Sequence, residues 1–166
     1  MKTLLLISNN GSLSRAMYPN INEDFSVVDI SKIPGSTDDW PKDTFDMAII
    51  ENAIEFIPME SIPESLDGLF DALRPGGEAV VFAYSLEWAA ANILSRNNRV
   101  SSVAYNWIYG NMGQGHSSGF TLPALRAVVR SAGFLVRKAT QIEVGVPVGD
   151  DHVGALQNMI VGLKPE

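Results

Sequence analysis

The chain contains no cysteine, which removes disulfides, cysteine zinc ligands and thiol nucleophiles from its chemistry. Basic residues are also scarce, with 12 Lys and Arg against 19 Asp and Glu and a formal charge of −7. Such a surface repels phosphate backbones, so nucleic acid is not expected as a directly bound substrate. Arg126, Arg130, Arg137 and Lys138 are the nearest approach to a basic stripe. No apolar run approaches the roughly 20 residues needed to span a bilayer. Leu4 to Ile7 is too short for a secretion signal, and no small-residue cleavage site follows it. We therefore expect a soluble cytoplasmic protein without a membrane span. Repeats and low-complexity segments are absent, and 166 residues suffice for one domain with one core, covering 1–166.

What is there is clearest between residues 45 and 83. Phe45-Asp46 leads into the apolar run Met47 to Ile50, which suits a strand buried on both faces of a parallel sheet. Ile62, Leu66, Leu69, Phe70 and Leu73 recur at helical spacing, with Glu64, Asp67 and Asp71 on the opposite side. Arg74 ends this helix and Pro75 cannot continue it. Gly76-Gly77 then supply positive φ for the reversal into a strand over Glu78 to Ala83. The whole reads as one βαβ unit.

These residues resemble the class I S-adenosylmethionine-dependent methyltransferases. That family runs through an Asp-bearing strand, an acidic turn, a helix and an Arg/Lys-Pro-Gly-Gly turn in the order seen here at Phe45-Asp46, Ile54-Glu55 and Leu73-Arg74-Pro75-Gly76-Gly77. Later landmarks are similar too: Ile108-Tyr109-Gly110, His116 with Gly119-Phe120, Ala132-Gly133-Phe134 and Val161 to Pro165. The resemblance covers nearly the whole chain. It implies an α/β fold, a Rossmann-like and mostly parallel sheet with an antiparallel C-terminal strand and helices on both faces.

In an open parallel sheet, ligands sit beyond the carboxyl ends of the strands, where the strand order switches. Thr3 to Ile7 reads as strand one, Ser8-Asn9-Asn10-Gly11-Ser12 as its turn, and Ser26 to Ile30 as strand two. The family has a Gly-x-Gly-x-Gly-like sequence in that turn, whereas only Gly11 remains here. Asn tolerates left-handed backbone, but Asn9 and Asn10 bring side chains into space where the cofactor's methionine moiety lies. Asp29, 18 residues past Gly11, is the best candidate to accept bonds from ribose hydroxyls. Pro19 limits any helix between the two strands to a few turns. Residues 31–41 are punctuated by Pro and Gly and read as a loop.

The resemblance places Asp38 or Asp39 near an adenine amine and Trp40 over the ring; without it, Trp40 reads as a cap on the core and the aspartates as a solvated turn. The cofactor set is thus Ser8, Asn9, Asn10, Gly11, Asp29, Asp38, Asp39, Trp40, Glu51 and Asn52, and the cofactor is S-adenosylmethionine. Glu55 matches an acidic family position with a structural role.

The substrate side is expected between Tyr84 and Gly119. Ser85 to Arg96 reads as a helix with a stripe of Leu86, Ala89, Ala90, Ile93 and Leu94, broken by Asn97-Asn98. Gly110 to Gly119 is a glycine-rich loop of functional length. His116 titrates near neutrality and can orient or deprotonate an acceptor, with Tyr109 lining the same pocket. Alternatively His116 caps the next helix or bonds to backbone. Thr121 and Pro123 start that helix well, Gly133 ends it, and strands over Phe134 to Val146 and Asn158 to Leu163 close the chain. Asp150-Asp151-His152 reads as a turn, since three adjacent residues do not converge on one ion, and no metal is expected.

Methyl transfer from a sulfonium needs alignment and at most one base, so no triad or metal site is required. Two functions stand open. One is an S-adenosylmethionine-dependent methyltransferase acting on a small-molecule, saccharide or lipid acceptor. The other is a cofactor-free relative of the same fold, acting as a binding partner or assembly subunit. Partners are a small-molecule substrate in the first case, and a protein or a second copy of the chain in the other. A dinucleotide binder is disfavoured by the missing Gly-x-Gly-x-x-Gly fingerprint.

Overall fold

The central strands are apolar on both sides because both faces of the sheet are covered. A computed structural model describes residues 2–8, 17–20, 25–30, 40–111 and 114–166. Strands β1 (Lys2–Ser8), β2 (Phe25–Ile30), β3 (Phe45–Glu51), β4 (Leu73–Tyr84), β7 (Leu135–Val148) and β8 (Asp151–Leu163) form one sheet. A separate two-stranded hairpin, β5 (Gly110–Asn111) and β6 (Gln114–Gly115), lies between β4 and β7 in the chain. The sheet order is β2-β1-β3-β4-β8-β7. The first four strands are parallel, and β8 runs antiparallel between β4 and β7. The order reverses between β1 and β3, which makes their carboxyl ends the switch point.

Side chains alternate across this sheet. Leu5, Ile7, Ala48, Ile50 and Val81 meet helices α1 (Ile62–Ala72) and α4 (Leu122–Ser131) through Leu66, Leu69, Leu125 and Val129. Leu4, Leu6, Ile49, Val80 and Phe82 fill the opposite face with Met159. On that same side of β8, Val153 and Ala155 pack under α2 (Leu86–Asn92) and α3 (Asn98–Tyr109) through Ala89, Val103, Ala104 and Trp107. Helices thus cover both faces. Each fully buried Leu or Ile contributes about 2 kcal/mol.

Several boundaries differ from the sequence reading. Helix α1 stops at Ala72, because Leu73 is already extended, and β4 begins with the Arg-Pro-Gly-Gly turn itself. Of the two glycines in this turn, Gly76 alone has positive φ, at 75°. Gly77 is needed for space, since a Cβ there would lie 2.8 Å from the Arg74 carbonyl oxygen. The expected stripe of the next helix is wrong at Leu94, which is 91% exposed beyond the end of α2. Asn97 breaks one helix by capping the next, its side chain accepting from the backbone of Arg99 and Val100. The last strand starts at Asp151, well before Asn158, because β7 and β8 form one long hairpin. Asn9, Asn10, Gly11, Asp38 and Asp39 lie outside the described residues.

Candidate functional site

The carboxyl ends of three neighbouring parallel strands meet, and two of them close on buried polar residues. Ser8 closes β1 and Glu51 closes β3; both are buried, and the Ser8 hydroxyl donates to Oε2 of Glu51 at 3.3 Å. This contact spans the switch point. Asn52 follows with a left-handed φ of 50°, and its Oδ1 accepts from Nε2 of the buried Gln157 at 3.0 Å. Gln157 lies opposite Tyr84 in the β4–β8 ladder, so the bond crosses the end of β4. Oε1 of Gln157 is buried without a partner among the described residues. Asp29 sits in β2 in register with Leu6 of β1, close to the carboxyl end of its strand.

Glu55 lies on the 3-10 turn Ile54–Phe56 and is fully buried. Its Oε1 accepts the backbone N–H of Tyr84 at 2.6 Å, while Oε2 has no partner among the described residues. Burial pushes this carboxyl up to about 7, against the opposing effect of the Tyr84 N–H. Its backbone carbonyl accepts the N–H groups of Ser117 and Ser118 at 2.7 and 3.0 Å. One residue therefore ties together the β3 turn, the end of β4 and the segment carrying His116.

The β5–β6 hairpin returns the chain from α3 so that His116 lands beside Tyr84. The His116 N–H donates to the Tyr109 carbonyl at 3.3 Å, and Nδ1 lies 3.0 Å from the Trp107 carbonyl oxygen. A carbonyl only accepts, so Nδ1 carries the proton and Nε2 presents its lone pair in the neutral ring. The ring stacks on Tyr84 at 5.5 Å and meets Phe56 edge-on at 5.0 Å. Tyr84 in turn stacks on Trp107 at 4.5 Å. Burial lowers the His116 pKa, with the Trp107 carbonyl opposing it, and the neutral form is favoured. Burial, then the charges of Glu55 and Glu51, raise the Tyr84 phenol above its ordinary value, so it stays protonated.

Of the residues singled out in the sequence, the structure brings Ser8, Glu51 and Asn52 to the carboxyl edge and sets His116 beside the adjacent β4 end. The backbone bond anticipated as an alternative for His116 is present, and α4 is capped by Thr121 instead. Tyr109 reaches His116 through its carbonyl, while its ring is 56% exposed and leans on Tyr105 at 4.7 Å. Trp40 is partly buried and packs against the core on the α1 and α4 side. Sequence reasoning missed Tyr84, Trp107 and Gln157. For Gln157 a signal existed, since Gln157-Asn158 interrupts an otherwise apolar strand. No group of His, Asp and Glu among the described residues is arranged to hold a metal ion.

This sheet order, with its reversal between β1 and β3 and its antiparallel ending, is that of the class I S-adenosylmethionine-dependent methyltransferase fold. A SAM-dependent methyltransferase from Methanosarcina mazei superposes with a TM-score of 0.68 at 14% identity, over 99% of this chain and 92% of that one. The Burkholderia thailandensis 1,6-didemethyltoxoflavin-N1-methyltransferase, solved with 1,6-didemethyltoxoflavin and S-adenosylhomocysteine bound, gives 0.60 at 14% identity over 99% and 72%. The CurJ carbon methyltransferase gives 0.60 at 12% identity over 99% of this chain and 49% of its own. At these identities the likeness is one of fold. No family model and no curated protein matches the sequence.

Proposed function

We propose that the protein is an S-adenosylmethionine-dependent methyltransferase acting on a small-molecule, saccharide or lipid acceptor. The observation that carries this reading is His116, held at the carboxyl edge with Nδ1 bonded to backbone and Nε2 left as an acceptor. The edge also suits the cofactor chemically. A buried amide oxygen without a donor on Gln157 and the carboxylate of Glu51 favour a ligand bearing an ammonium and a sulfonium. The segment Ser8, Asn9, Asn10 and Gly11 would hold its methionine moiety, with Glu51 and Asn52 beside it. Asp29 would hold the ribose, and Asp38 or Asp39 with Trp40 the adenine. S-adenosylmethionine, when bound, supplies a methyl group already activated by its positive sulfur.

The chain's own residues then have modest work to do. Nε2 of His116 takes the acceptor's proton, a contribution of about 10²- to 10⁴-fold. Tyr84 and Phe56 fix the plane of the imidazole, and Tyr109 lines the acceptor side. The neighbour solved with 1,6-didemethyltoxoflavin and S-adenosylhomocysteine bound supports the same reading by fold.

One observation favours a second reading. Asn9 and Asn10 stand where close backbone approach to the cofactor wants glycine, as a cofactor-free binding partner would allow. Calorimetric titration with S-adenosylmethionine and S-adenosylhomocysteine, with Asp29→Ala as control, separates the two. Micromolar binding abolished by the substitution supports the enzyme; no binding by folded protein supports the partner.

A further inference from the structure

The negative charge is unevenly distributed. No Asp or Glu occurs between Glu87 and Glu143, while Arg126, Arg130, Arg137 and Lys138 fall within that stretch. All four are exposed, and none pairs with a carboxylate among the described residues. Arg126 and Arg130 lie where α4 flanks β7, and Arg137 and Lys138 follow on β7 itself. A groove there comprises one cavity of about 420 Å³ over Leu122, Arg126, Arg130 and Ala139, and another of about 410 Å³ over Arg126, Arg130, Phe134 and Val136. Leu135, at the start of β7, is 56% exposed beside it.

β7 is also the last strand of the sheet. It pairs with β8 on one side, and no described residue pairs with its other side. An open strand edge is a template for another strand. An acidic segment is complementary to the same edge.

We propose that the α4–β7 edge is a docking surface for an extended acidic segment of another protein. The segment's carboxylates lie on Arg126, Arg130, Arg137 and Lys138, an apolar side chain rests on Leu135, and its backbone runs along β7. The charged rim sets specificity and encounter rate, and the edge supplies directional backbone bonds. The surface is independent of the cofactor edge and of whether methyl transfer occurs.

The test uses the full chain and a fluorescein-labelled synthetic peptide alternating Glu with Val, with a Lys-Val peptide as control. Saturable anisotropy for the Glu peptide alone is expected, weakening with salt and at least about tenfold in Arg126→Glu/Arg130→Glu. Hydrogen exchange should show new protection of β7 amides in the complex. The milder Leu135→Ser should weaken binding without reversing charge, and circular dichroism checks that both variants fold. Absence of saturable binding, or affinity unchanged in the charge reversal, overturns the proposal. Displacement by dodecanoate without β7 protection would assign the groove to a small anionic amphiphile instead. Peptide-independent dimerisation lost in the charge reversal would assign it to a second copy.

Discussion

The backbone N–H of Tyr84 donates to Oε1 of Glu55 at 2.6 Å, and the second oxygen of that carboxyl is buried without a partner among the described residues. Backbone hydrogen bonds from Tyr84 and from Glu55 itself do not offset the burial of a full charge. The folded protein therefore keeps Glu55 protonated to about 7, above its ordinary value of 4.5. The raised value sets the sign of the Glu55 contribution: it is fully present below pH 4.5, is lost as pH rises through about 7, and is flat beyond that, a loss of about 3 kcal/mol. Glu55→Gln keeps an acceptor for Tyr84 and never ionises. Its melting temperature should exceed that of the parent at pH 8 and not at pH 4. Equal differences at both pH values would show that Glu55 is not buried as an acid.

His116→Gln should lower the rate of methyl transfer by about 10²-fold or more, with S-adenosylmethionine affinity unchanged in calorimetry. Because burial lowers the His116 pKa, the parent's activity should stay flat through neutrality and decline only on the acid side of the ordinary imidazole range. That limb should vanish from the residual activity of the variant. A pH profile identical in shape for both proteins would remove His116 from the proton-transfer role.

The β3–α1–β4 unit was legible because each of its signals is local: an apolar run, a helical stripe and a Pro-Gly-Gly turn. The carboxyl edge was only partly so. Ser8, Glu51 and Asn52 follow directly from where strands end. Gln157 meets Asn52 across 105 residues of sequence, and no local pattern reports that pairing. Likewise His116 stood out as a titratable residue in a glycine-rich loop, whereas Trp107 holds it through a carbonyl that every residue possesses. Leu94 misled for a related reason. Its spacing fits a helical stripe, but α2 ends before it and its side chain is exposed.

The two glycines of the β4 turn should respond differently to alanine. At Gly76 the cost is backbone strain alone, since φ is 75° and nothing lies within 4 Å of an added Cβ; about 1 kcal/mol is expected. At Gly77 the Cβ would meet the Arg74 carbonyl at 2.8 Å and the Asp46 carbonyl at 3.3 Å. Backbone must move, and β4 is central to the sheet, so about 2 to 3 kcal/mol is expected. Urea unfolding of the two variants measures the difference, and a smaller loss for Gly77→Ala than for Gly76→Ala would contradict the close packing described.

Tyr84 offers two separable properties, a ring and a phenol. The ring stacks between Trp107 and His116 and fixes the imidazole plane, whereas the phenol is held protonated by burial and by two nearby carboxyl groups. A phenol kept neutral does not act as a base at physiological pH, so Tyr84→Phe should retain activity to within a few-fold. Tyr84→Ala removes a support from His116 and should cost about tenfold or more, on the scale of a lost aromatic contact. Its Glu55 bond is made by backbone and survives both substitutions. Comparing the two rates, with far-ultraviolet dichroism to confirm folding, therefore isolates ring positioning from the Glu55 anchor. A Phe variant as impaired as the Ala variant would transfer the role from the stack to the hydroxyl.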